Sequence, residues 1–547
     1  MQFPPRLSGR ALQGIVRLSR TTAGKRLLYQ VFRSDLRIGQ LEQLPDALFG
    51  GMPIDNRPIA GRPPRQVADA GLPPPAAPWS GSSETLAQAF REGKTTPREV
   101  ADRALEAARA LASRRPSVGP LMATCEERTR RDADASTARW RSGKPLGPLD
   151  GVPIVVKEEM AIAGLPTRGG SDLSDATPAS ADCTFVARLS AQGAIVLGHT
   201  PMTEYGMTPL GFNPKRTMPR NPHATDRVAG GSSTGSAVAV ATGLVPLALG
   251  GDGGGSIRIP SSLCGVFGIK PTWGRVSRAG DIFGGTVAHI GPIASSVVDL
   301  ARCLEIASGS DPEDLQTKLA PHREAGTFVR ALSRGVRGMR IGIVDGEWAE
   351  ASPAVAHAGR EALRALENDG AVLVDLRLQL AKWAAPIGYL VIGVESRAEQ
   401  LENIERGATF TRDLAISWAV LGQMSATDYA SAQRLRSGLR AEVARAFGDV
   451  DLLALPSAAA PATRVTDAEF DGGFLDARAL DGCCRFMFLG NLTGCPALSA
   501  PVGLDEARLP LGLQLVGDAW DEATVLAAAA HLERTGAARV EKPQASV

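Results

Sequence analysis

Three side chains in the first half of the chain have the types and the setting needed for acyl transfer. Lys157 ends the apolar run GVPIVVK, Ser232 lies in the loop GGSSTGS, and Ser256 follows three glycines in GGDGGGS. A lysine in apolar surroundings loses solvation of its charged form and can act as a base. N–H groups in a glycine turn can converge to stabilise an oxyanion, so a serine there is a natural nucleophile. Because a hydroxyl both donates and accepts, Ser232 could relay a proton between Lys157 and Ser256.

Each of these residues also has a purely structural explanation. A lysine at a strand end can extend to water, a serine often caps a helix, and a glycine turn often only reverses the chain. Lys270, in FGIKP, has a setting as apolar as that of Lys157. The three residues therefore indicate catalysis only in combination.

The glycine loops do not fit three other common sites. A phosphate-binding loop requires GxxxxGK[ST], and neither loop has the lysine. A dinucleotide-binding fingerprint ends in glycine where GDGGGS ends in serine. The GxSxG motif of Ser-His-Asp hydrolases is missing around Ser256, whose neighbours read GGGSIRI.

Composition limits the classes of protein that the chain can represent. It has 547 residues, 44% of them hydrophobic, and a net charge of +2, so nothing favours nucleic acid as a partner. No window reaches the roughly 18 uninterrupted apolar residues of a membrane-spanning helix. The seven cysteines lack CxxC spacing, and the six histidines form no HExxH pair. We therefore expect a reduced, cytoplasmic protein with no metal and no cofactor.

The N-terminal region differs in composition from the rest. Before Asp35, seven basic residues are interleaved with apolar ones and no acidic residue occurs, which predicts a helical, basic extension over 1–43. Its basic face is only solvated, or it contacts a membrane surface, or it belongs to an organellar transit segment. Arginines interrupt the apolar residues too often for a secretory signal. Residues 44–83 are rich in Pro and Gly and predict an extended strap.

Residues 84–547 are predicted to form one large α/β catalytic domain. Thr96-Pro97-Arg98-Glu99 offers an N-cap, a first-turn proline and a capping-box glutamate, so a helix should begin there. The block 354–447 is poor in Gly and Pro and predicts a helical sub-domain over the site. Continuous apolar strands between helices indicate a sheet buried on both faces. The runs predicted as strands are 152–156, 194–197, 339–344, 372–376, 452–455, 497–502 and 511–516.

The segment GGSSTGS…GGDGGGSIRIPSSLCGVFGIKP, with DGVPIVVKE upstream, resembles the amidase signature family. The resemblance implies an amidase-signature fold, with a large twisted mixed β-sheet covered by helices on both faces. It also implies a Ser-cisSer-Lys triad, with Ser256 as nucleophile, Ser232 as the cis-configured proton relay and Lys157 as base.

The same resemblance assigns roles to the residues around the two serines. The backbone N–H groups of the oxyanion hole would come from Gly253, Gly254, Gly255 and Ser256. Ser233, Asp252 and Arg258 would support the loops. Two positions depart from the family: Gly251 stands where threonine is usual, and Thr234 where glycine or serine is common.

Further segments resemble the plant-type fatty acid amide hydrolases within this family. They include FREGKTTPREVADRAL, GGTVAHIGPIASS and NLTGCPALSAPVG, and the likeness covers nearly the whole chain. It implies a homodimer that hydrolyses N-acyl amides with hydrophobic acyl groups, such as N-acylethanolamines, through an acyl-enzyme. Met207 and Phe212 are expected to line an acyl channel. The alternatives are an amidase for aryl or short aliphatic amides, a non-catalytic lipid-binding protein and an amidotransferase A-type subunit.

Overall fold

The computed structural model describes residues 6–50, 57–63, 71–73 and 75–547. Residues 1–5 of the predicted extension, and 51–56, 64–70 and 74 of the predicted strap, lie outside the described residues. None of the described helices is long and apolar enough to cross a membrane.

Strands occur along almost the whole described chain. They are β1 (Leu7–Ser8), β2 (Ala123–Thr124), β3 (Pro153–Lys157), β4 (Ile195–Thr200), β5 (Leu247–Asp252), β6 (Phe267–Lys270), β7 (His289–Ala294), β8 (Arg340–Val344), β9 (Val372–Leu376), β10 (Leu452–Pro456), β11 (Phe474–Leu475), β12 (Ala497–Leu504) and β13 (Pro510–Gly517).

Eleven of these strands form one mixed sheet in the order β2-β4-β3-β5-β7-β6-β12-β13-β10-β8-β9. β3 pairs in parallel with β4 and β5, and β8 pairs in parallel with β9 and β10. The five strand pairs between these two parallel groups are antiparallel, namely β5-β7, β7-β6, β6-β12, β12-β13 and β13-β10. All seven apolar runs predicted as strands belong to this sheet. The predicted α/β fold with a large mixed sheet is thereby confirmed.

Helices flank the sheet and form its connections. They are α1 (Gly9–Ser19), α2 (Thr22–Asp35), α3 (Ile38–Leu41), α4 (Ser83–Arg91), α5 (Pro97–Ser113), α6 (Glu126–Arg141), α7 (Thr184–Ala191), α8 (Thr234–Ala241), α9 (Arg258–Cys264), α10 (Val297–Ala307), α11 (Thr327–Ala331), α12 (Asp345–Trp348), α13 (Pro353–Asn368), α14 (Ala384–Glu399), α15 (Leu401–Glu405), α16 (Arg412–Leu421), α17 (Ala426–Asp449), α18 (Asp467–Gly472), α19 (Ala477–Cys484), α20 (Phe488–Thr493) and α21 (Glu522–Thr535). Short 3-10 turns occupy Asp46–Leu48, Glu204–Gly206, Leu315–Leu319 and Ala381–Trp383.

The start of α5 follows from its local sequence. The Thr96 hydroxyl accepts from the Glu99 N–H at 3.2 Å, and the Glu99 carboxylate accepts from the Thr96 N–H at 2.9 Å. Two N–H groups that the first helical turn leaves without partners are thereby satisfied. The predicted capping box is therefore present.

The strands around the two serine loops were not predicted. β5, β6 and β7 each contain glycine, which weakens the β propensity of a segment. They are nevertheless buried along their whole length, in the middle of the sheet. β5 lies beside β3, so the tertiary pairing brings Lys157 next to the glycine loop that follows β5.

The N-terminal helices pack on the helical region that covers the sheet. Leu12 of α1 and Leu28 of α2 form one buried cluster with Ile416 and Val420 of α16. β1 pairs with β11 and ties the same segment to residues late in the chain. The apolar faces of α1 and α2 thus face the body of the molecule, which leaves several of their arginines exposed.

Candidate active site

Lys157 lies at the end of β3 with only 1% of its surface exposed. Its Nζ donates to the hydroxyl of Ser232 at 2.8 Å and to the carbonyl oxygen of Gly251 at 3.3 Å. The strand thus directs the amine inward rather than to water. Across 75 residues of chain, the structure brings together a buried amine and a hydroxyl, which is the contact that a proton relay requires.

A carboxylate that the sequence reasoning missed also contacts this amine. Glu159 Oε2 lies 2.8 Å from Lys157 Nζ, and both side chains are buried. A carboxylate in contact favours the charged ammonium, whereas burial disfavours it. Glu159 therefore belongs to the immediate surroundings of the candidate base.

The space that Glu159 occupies explains one departure from the family pattern. A Cβ atom placed at Gly251 would overlap Oε1 of Glu159. Glycine at this position therefore makes room for the carboxylate. The unusual glycine in the sequence was the one signal that could have indicated an additional group beside Lys157.

Ser232 and Ser233 lie in the loop before α8, and the peptide bond between Gly231 and Ser232 is cis. Ser233 links this loop to the second one. Its N–H donates to the carbonyl oxygen of Ser256 at 3.1 Å, and its hydroxyl donates to the carbonyl oxygen of Gly251 at 3.1 Å. These two hydrogen bonds hold the two serine loops together.

Asp252 and Arg258 brace the loop that carries Ser256. The guanidinium donates to both oxygens of Asp252 at 2.9 Å, and neither side chain is exposed. Asn491 donates to Asp252 and accepts from Arg258, so the pair is further hydrogen-bonded. Burial opposes ionisation of Asp252, but the charge of Arg258 prevails and holds the pKa of Asp252 well below its usual range.

Gly255 does not supply an N–H group to the predicted oxyanion hole. Its N–H donates to Oδ1 of Asp252 at 2.8 Å, because the carboxylate closes the turn between β5 and α9. Its φ of +115° lies in a region that side chains disfavour, so the turn requires glycine here. Within the described chain, the N–H groups of Gly253, Gly254 and Ser256 have no such acceptor.

Two cavities meet at Ser256. The first, called the apolar cavity, has a volume of about 120 Å³ and also touches Gly254. Hydrophobic side chains form most of its wall, among them Met207, Tyr389, Ile392, Leu421, Met424 and Phe488. Phe32 and Leu36 add the N-terminal region to this wall. Such a wall suits an alkyl or aryl group attached to a carbonyl at Ser256.

The second, called the acidic cavity, has a volume of about 60 Å³ and is lined by Lys157, Ser232 and Ser256 together. The three predicted catalytic residues therefore share one cavity. Its wall also contains four carboxylates and a histidine that sequence reasoning did not single out: Glu159, Asp281, Glu395, Glu399 and His289. Glu395 and Glu399 are four residues apart on α14, and this helical spacing was the available signal.

The two residues predicted for an acyl channel have different positions. Met207 lines both cavities at Ser256. Phe212 is buried and its ring packs against Phe474, with ring centroids 4.7 Å apart. It lines neither cavity. The structure thus brings Met207, but not Phe212, to the site.

Lys270 shows what a buried lysine looks like outside this site. Its Nζ donates to the carbonyl oxygens of Pro271 and Cys495 at 3.0 and 2.5 Å. Burial, followed by the nearby charge of Arg258, lowers the pKa of Lys270 to about 7. No serine hydroxyl of the described chain contacts it, so it lacks the partner that Lys157 has.

Comparisons with known proteins show which sequences and folds this chain resembles. The family model described as amidase matches residues 103–526. A fatty acid amide hydrolase of Medicago truncatula is 35% identical over 479 residues, covering 84% of this chain and 78% of the relative. The A-type subunit of the glutamyl-tRNA(Gln) amidotransferase of Chloroflexus aurantiacus is 36% identical over 439 residues, covering 75% of this chain and 88% of the relative.

A solved structure is similar in fold as well. A bacterial aryl acylamidase of the amidase signature family superposes with a TM-score of 0.73 at 27% identity. The match covers 84% of this chain and 96% of that one. The similarity therefore extends over most of the sheet and its helices.

Proposed function

The chain belongs to the amidase signature family and is an amide-hydrolysing enzyme, and on this premise we propose that it cleaves N-acyl amides with hydrophobic acyl groups through an acyl-enzyme on Ser256. One observation carries the proposal. The buried amine of Lys157 contacts the hydroxyl of Ser232 at 2.8 Å, in a cavity that Ser256 also lines. A base, a relay and a nucleophile are therefore within one enclosed space.

The first half of the reaction forms the acyl-enzyme. Ser256 Oγ attacks the amide carbonyl carbon, its proton passes to Ser232, and the proton of Ser232 passes to neutral Lys157. The N–H groups of Gly253, Gly254 and Ser256 are available to the oxyanion. When the C–N bond breaks, the proton returns through Ser232 to the leaving nitrogen, and a neutral amine departs.

The second half releases the acid. Water attacks the ester carbonyl and gives a proton to the same relay, which returns it to Ser256 Oγ when the C–O bond to the serine breaks. The sum is one amide and one water converted into one carboxylic acid and one amine. Glu159 assists in both halves, because its carboxylate stabilises the ammonium that Lys157 becomes while it holds the proton.

The apolar cavity is the proposed site of the acyl group. Its wall is formed mainly by aliphatic and aromatic side chains, and burial of each methylene there is worth roughly 0.8 kcal/mol. The similarity to a plant fatty acid amide hydrolase supports a long acyl chain. A hydrolysis series of amides that differ only in acyl length should therefore peak at a medium or long chain rather than at acetyl.

Active-site labelling tests the proposal. A fluorophosphonate should label the purified protein stoichiometrically, and peptide mapping should place the label on Ser256. The Ser256→Ala variant should lose both labelling and amide hydrolysis, whereas Ser396→Ala, a serine of the same cavity, should retain both. Stoichiometric labelling that persists in Ser256→Ala would contradict the proposed nucleophile.

An amidotransferase component is a second candidate, because the A-type subunit of the Chloroflexus enzyme is 36% identical. Such a component would act only within a larger assembly. The purified chain alone separates the candidates: hydrolysis of simple N-acyl amides without another protein supports the first. Hydrolysis of glutamine only, and only with partner proteins, would support the second.

We also propose that the extension over 1–43 contacts a membrane surface and that the enzyme is a homodimer. Arg10, Arg17, Arg20 and Arg26 are exposed, and Leu27 beside them is 44% exposed. Binding to anionic but not to neutral vesicles, abolished by charge reversal of these arginines, would support the membrane contact.

The proposed homodimer has a separate test. A molar mass near 57.2 kDa in light scattering, which is the mass of one chain, would contradict it.

A further inference from the structure

The acidic cavity contains three carboxylates in addition to Glu159, which contacts Lys157, and Asp252, which pairs with Arg258. Glu395 and Glu399 lie one turn apart near the end of α14, and Asp281 lies in the segment before β7. All three line the same cavity as Ser232 and Ser256. Acidic groups are thus concentrated within a small space at the reacting centre.

None of the three forms an ion pair with another described residue. Glu395 accepts from the N–H and hydroxyl of Thr286, both at 2.7 Å, and from the Tyr429 hydroxyl at 2.8 Å. Glu399 accepts from the N–H of Gly284 at 3.0 Å, and Asp281 from the N–H of Phe283 at 3.1 Å. Only neutral donors therefore orient these carboxylates, and no cation of the described chain neutralises them by contact.

The two guanidinium groups that interact electrostatically with these carboxylates, those of Arg278 and Arg436, donate to carbonyl oxygens instead. Arg278 donates to the carbonyl oxygens of Gly284 and Gly285 at 3.1 and 3.4 Å. Arg436 donates to the carbonyl oxygens of Leu492 and Thr286 at 2.8 and 2.9 Å. Neither guanidinium group lines the cavity.

A buried histidine provides an independent indication of a ligand. His289 is 3% exposed and lines the acidic cavity. Its Nδ1 lies 2.7 Å from the carbonyl oxygen of Val287, which fixes the proton on Nδ1 of the neutral ring. Burial, followed by the charge of Lys270, keeps the pKa of His289 well below its usual value. Nε2 is then an acceptor, and it has no partner among the described residues.

The ionisation of Asp281 agrees with a missing cation. Burial, followed by the charge of Glu159, raises the pKa of Asp281 well above its usual value. Repulsion between these carboxylates would be relieved by a positive charge in the cavity. A cation would also hold Asp281 in its ionised form, as an acceptor like Nε2 of His289, so a positively charged group with several N–H donors fits this wall.

The proton relay determines which half of the substrate enters this cavity. The leaving nitrogen must receive its proton from Ser232, and Ser232 and Lys157 line the acidic cavity but not the apolar one. The acyl group then extends into the apolar cavity, on the other side of Ser256. The amine half of the amide lies against the carboxylates.

We infer that the amine half of the substrate ends in a primary ammonium, so that the enzyme prefers monoacylated diamines over neutral N-alkyl amides. The inference rests on the proposed function, because it requires amide cleavage at Ser256. Glu395 and Glu399 are the two carboxylates of α14, and they are the proposed specificity-determining pair.

Two amides with the same acyl group provide the test. N-decanoyl-diaminobutane ends in a primary ammonium, and N-decanoyl-pentylamine has a methyl group in its place. The native enzyme should hydrolyse the cationic amide with a kcat/KM higher by roughly tenfold or more, as expected for one charged hydrogen bond. The KM of the cationic amide alone should rise with ionic strength.

Variants assign the preference to the pair. In Glu395→Gln/Glu399→Gln, the ratio of the two kcat/KM values should fall to about one, and Glu399→Gln alone should reduce it in part. Glu402→Gln is the matched control, since Glu402 is exposed on the following helix and lines neither cavity. Fluorophosphonate titration reports the fraction of each variant that is folded and active.

The possible outcomes separate the inference from the proposed function. Equal kcat/KM values in the native enzyme, or a preference that persists in the double variant, would overturn the inference while hydrolysis of the pentylamide upholds the function. If the trimethylated analogue of the cationic amide is hydrolysed at the same rate, the inferred specificity for a primary ammonium is wrong. Hydrolysis of neither amide, with no fluorophosphonate labelling, would overturn the proposed function and the inference with it.

Discussion

The two halves of helix α14 line chemically different parts of one site. Tyr389, in its first half, lines the apolar cavity, whereas Glu395 and Glu399, in its second half, line the acidic one. Ile392 lines both cavities and lies between them. One helix thus separates an environment that favours hydrocarbon from one that favours a cation, with Ser256 at the point where they meet.

This contrast shows how a small change along a chain can divide the roles of a site. Within three residues the helix passes from Ile392 to Glu395, and the same face of the helix continues. Apart from Ile392, different side chains of α14 line the two cavities. Substitutions on this helix can therefore change the specificity for the acyl group and for the amine separately. The apolar wall also recruits α2 and α16, while the acidic wall recruits the segment before β7.

The largest expected effect comes from the base, on which the cleavage of every amide depends. Lys157→Met removes the amine while keeping the length of the side chain, and kcat should fall by about a thousandfold or more for every amide, because the relay has no base. Steady-state kinetics with several acyl lengths measures this. Lys144→Met, an exposed lysine, is the control. A kcat within tenfold of native would contradict the role of Lys157.

Filling the apolar cavity should affect only the specificity for the acyl group. Met424→Trp adds bulk to its wall, and kcat/KM for a decanoyl amide should fall by roughly ten- to a hundredfold, since the displaced methylenes lose their contacts. The acetyl amide of the same amine should change by less than about threefold. Leu315→Trp, at an exposed leucine, controls for the added tryptophan. An equal loss for both amides would argue against an acyl site here.

Removing the negative charge of Glu159 beside Lys157 should change both the rate and its dependence on pH. Glu159→Gln should lower kcat by about tenfold, because the ammonium of Lys157 loses its counter-charge. For the same reason the neutral amine persists to lower pH, so the acid limb of the pH–rate profile should move to lower pH. The profile of kcat against pH measures both effects.

The adjacent Glu158 is a matched control for this prediction. It is buried, accepts from the N–H of Gly170 and lines neither cavity. Burial raises the pKa of Glu158 to about 7, so glutamine resembles its protonated form near neutral pH. Glu158→Gln should leave the limb in place. A limb that moves equally in both variants would contradict a specific role for Glu159.

The smallest effect concerns the contribution of α2 and its neighbours to the apolar wall. Leu36→Ala should lower kcat/KM for a decanoyl amide by about two- to fivefold, from the loss of partly buried apolar contact. The acetyl amide should not change. Leu27→Ala is the control, because Leu27 is exposed on α2 and lines neither cavity. The same loss in both variants would indicate a general effect on stability.

Much of the fold was predictable because its signals are local. Thr96 and Glu99 are three residues apart, so the capping box could be recognised directly. Uninterrupted apolar runs identified the strands from β8 to β10 and both β12 and β13. The strands β5, β6 and β7 were missed, because glycine weakens the local pattern while pairing with neighbouring strands determines the structure.

Prediction of the site was limited in a different way. The motifs indicated Lys157, Ser232 and Ser256, and the structure brings all three to one cavity. Phe212 was placed at the site because of its position near Met207, but its ring belongs to the core beside Phe474. Neighbours in sequence can face opposite sides of a loop, and only the packing of the loop decides which side faces the ligand.

The sequence alone determined the residue types at the reacting centre and the loops that present them, because such motifs depend on backbone within a few residues. The tertiary structure decided what surrounds them. It brought Glu159 to the amine of Lys157 and committed the N–H of Gly255 to Asp252. It also gave one helix an apolar and an acidic cavity to line. Glu159 is only two residues from Lys157, and Gly255 only three from Asp252, but the direction of each group follows from packing, which no local pattern records. The two cavities join segments that are far apart in the chain.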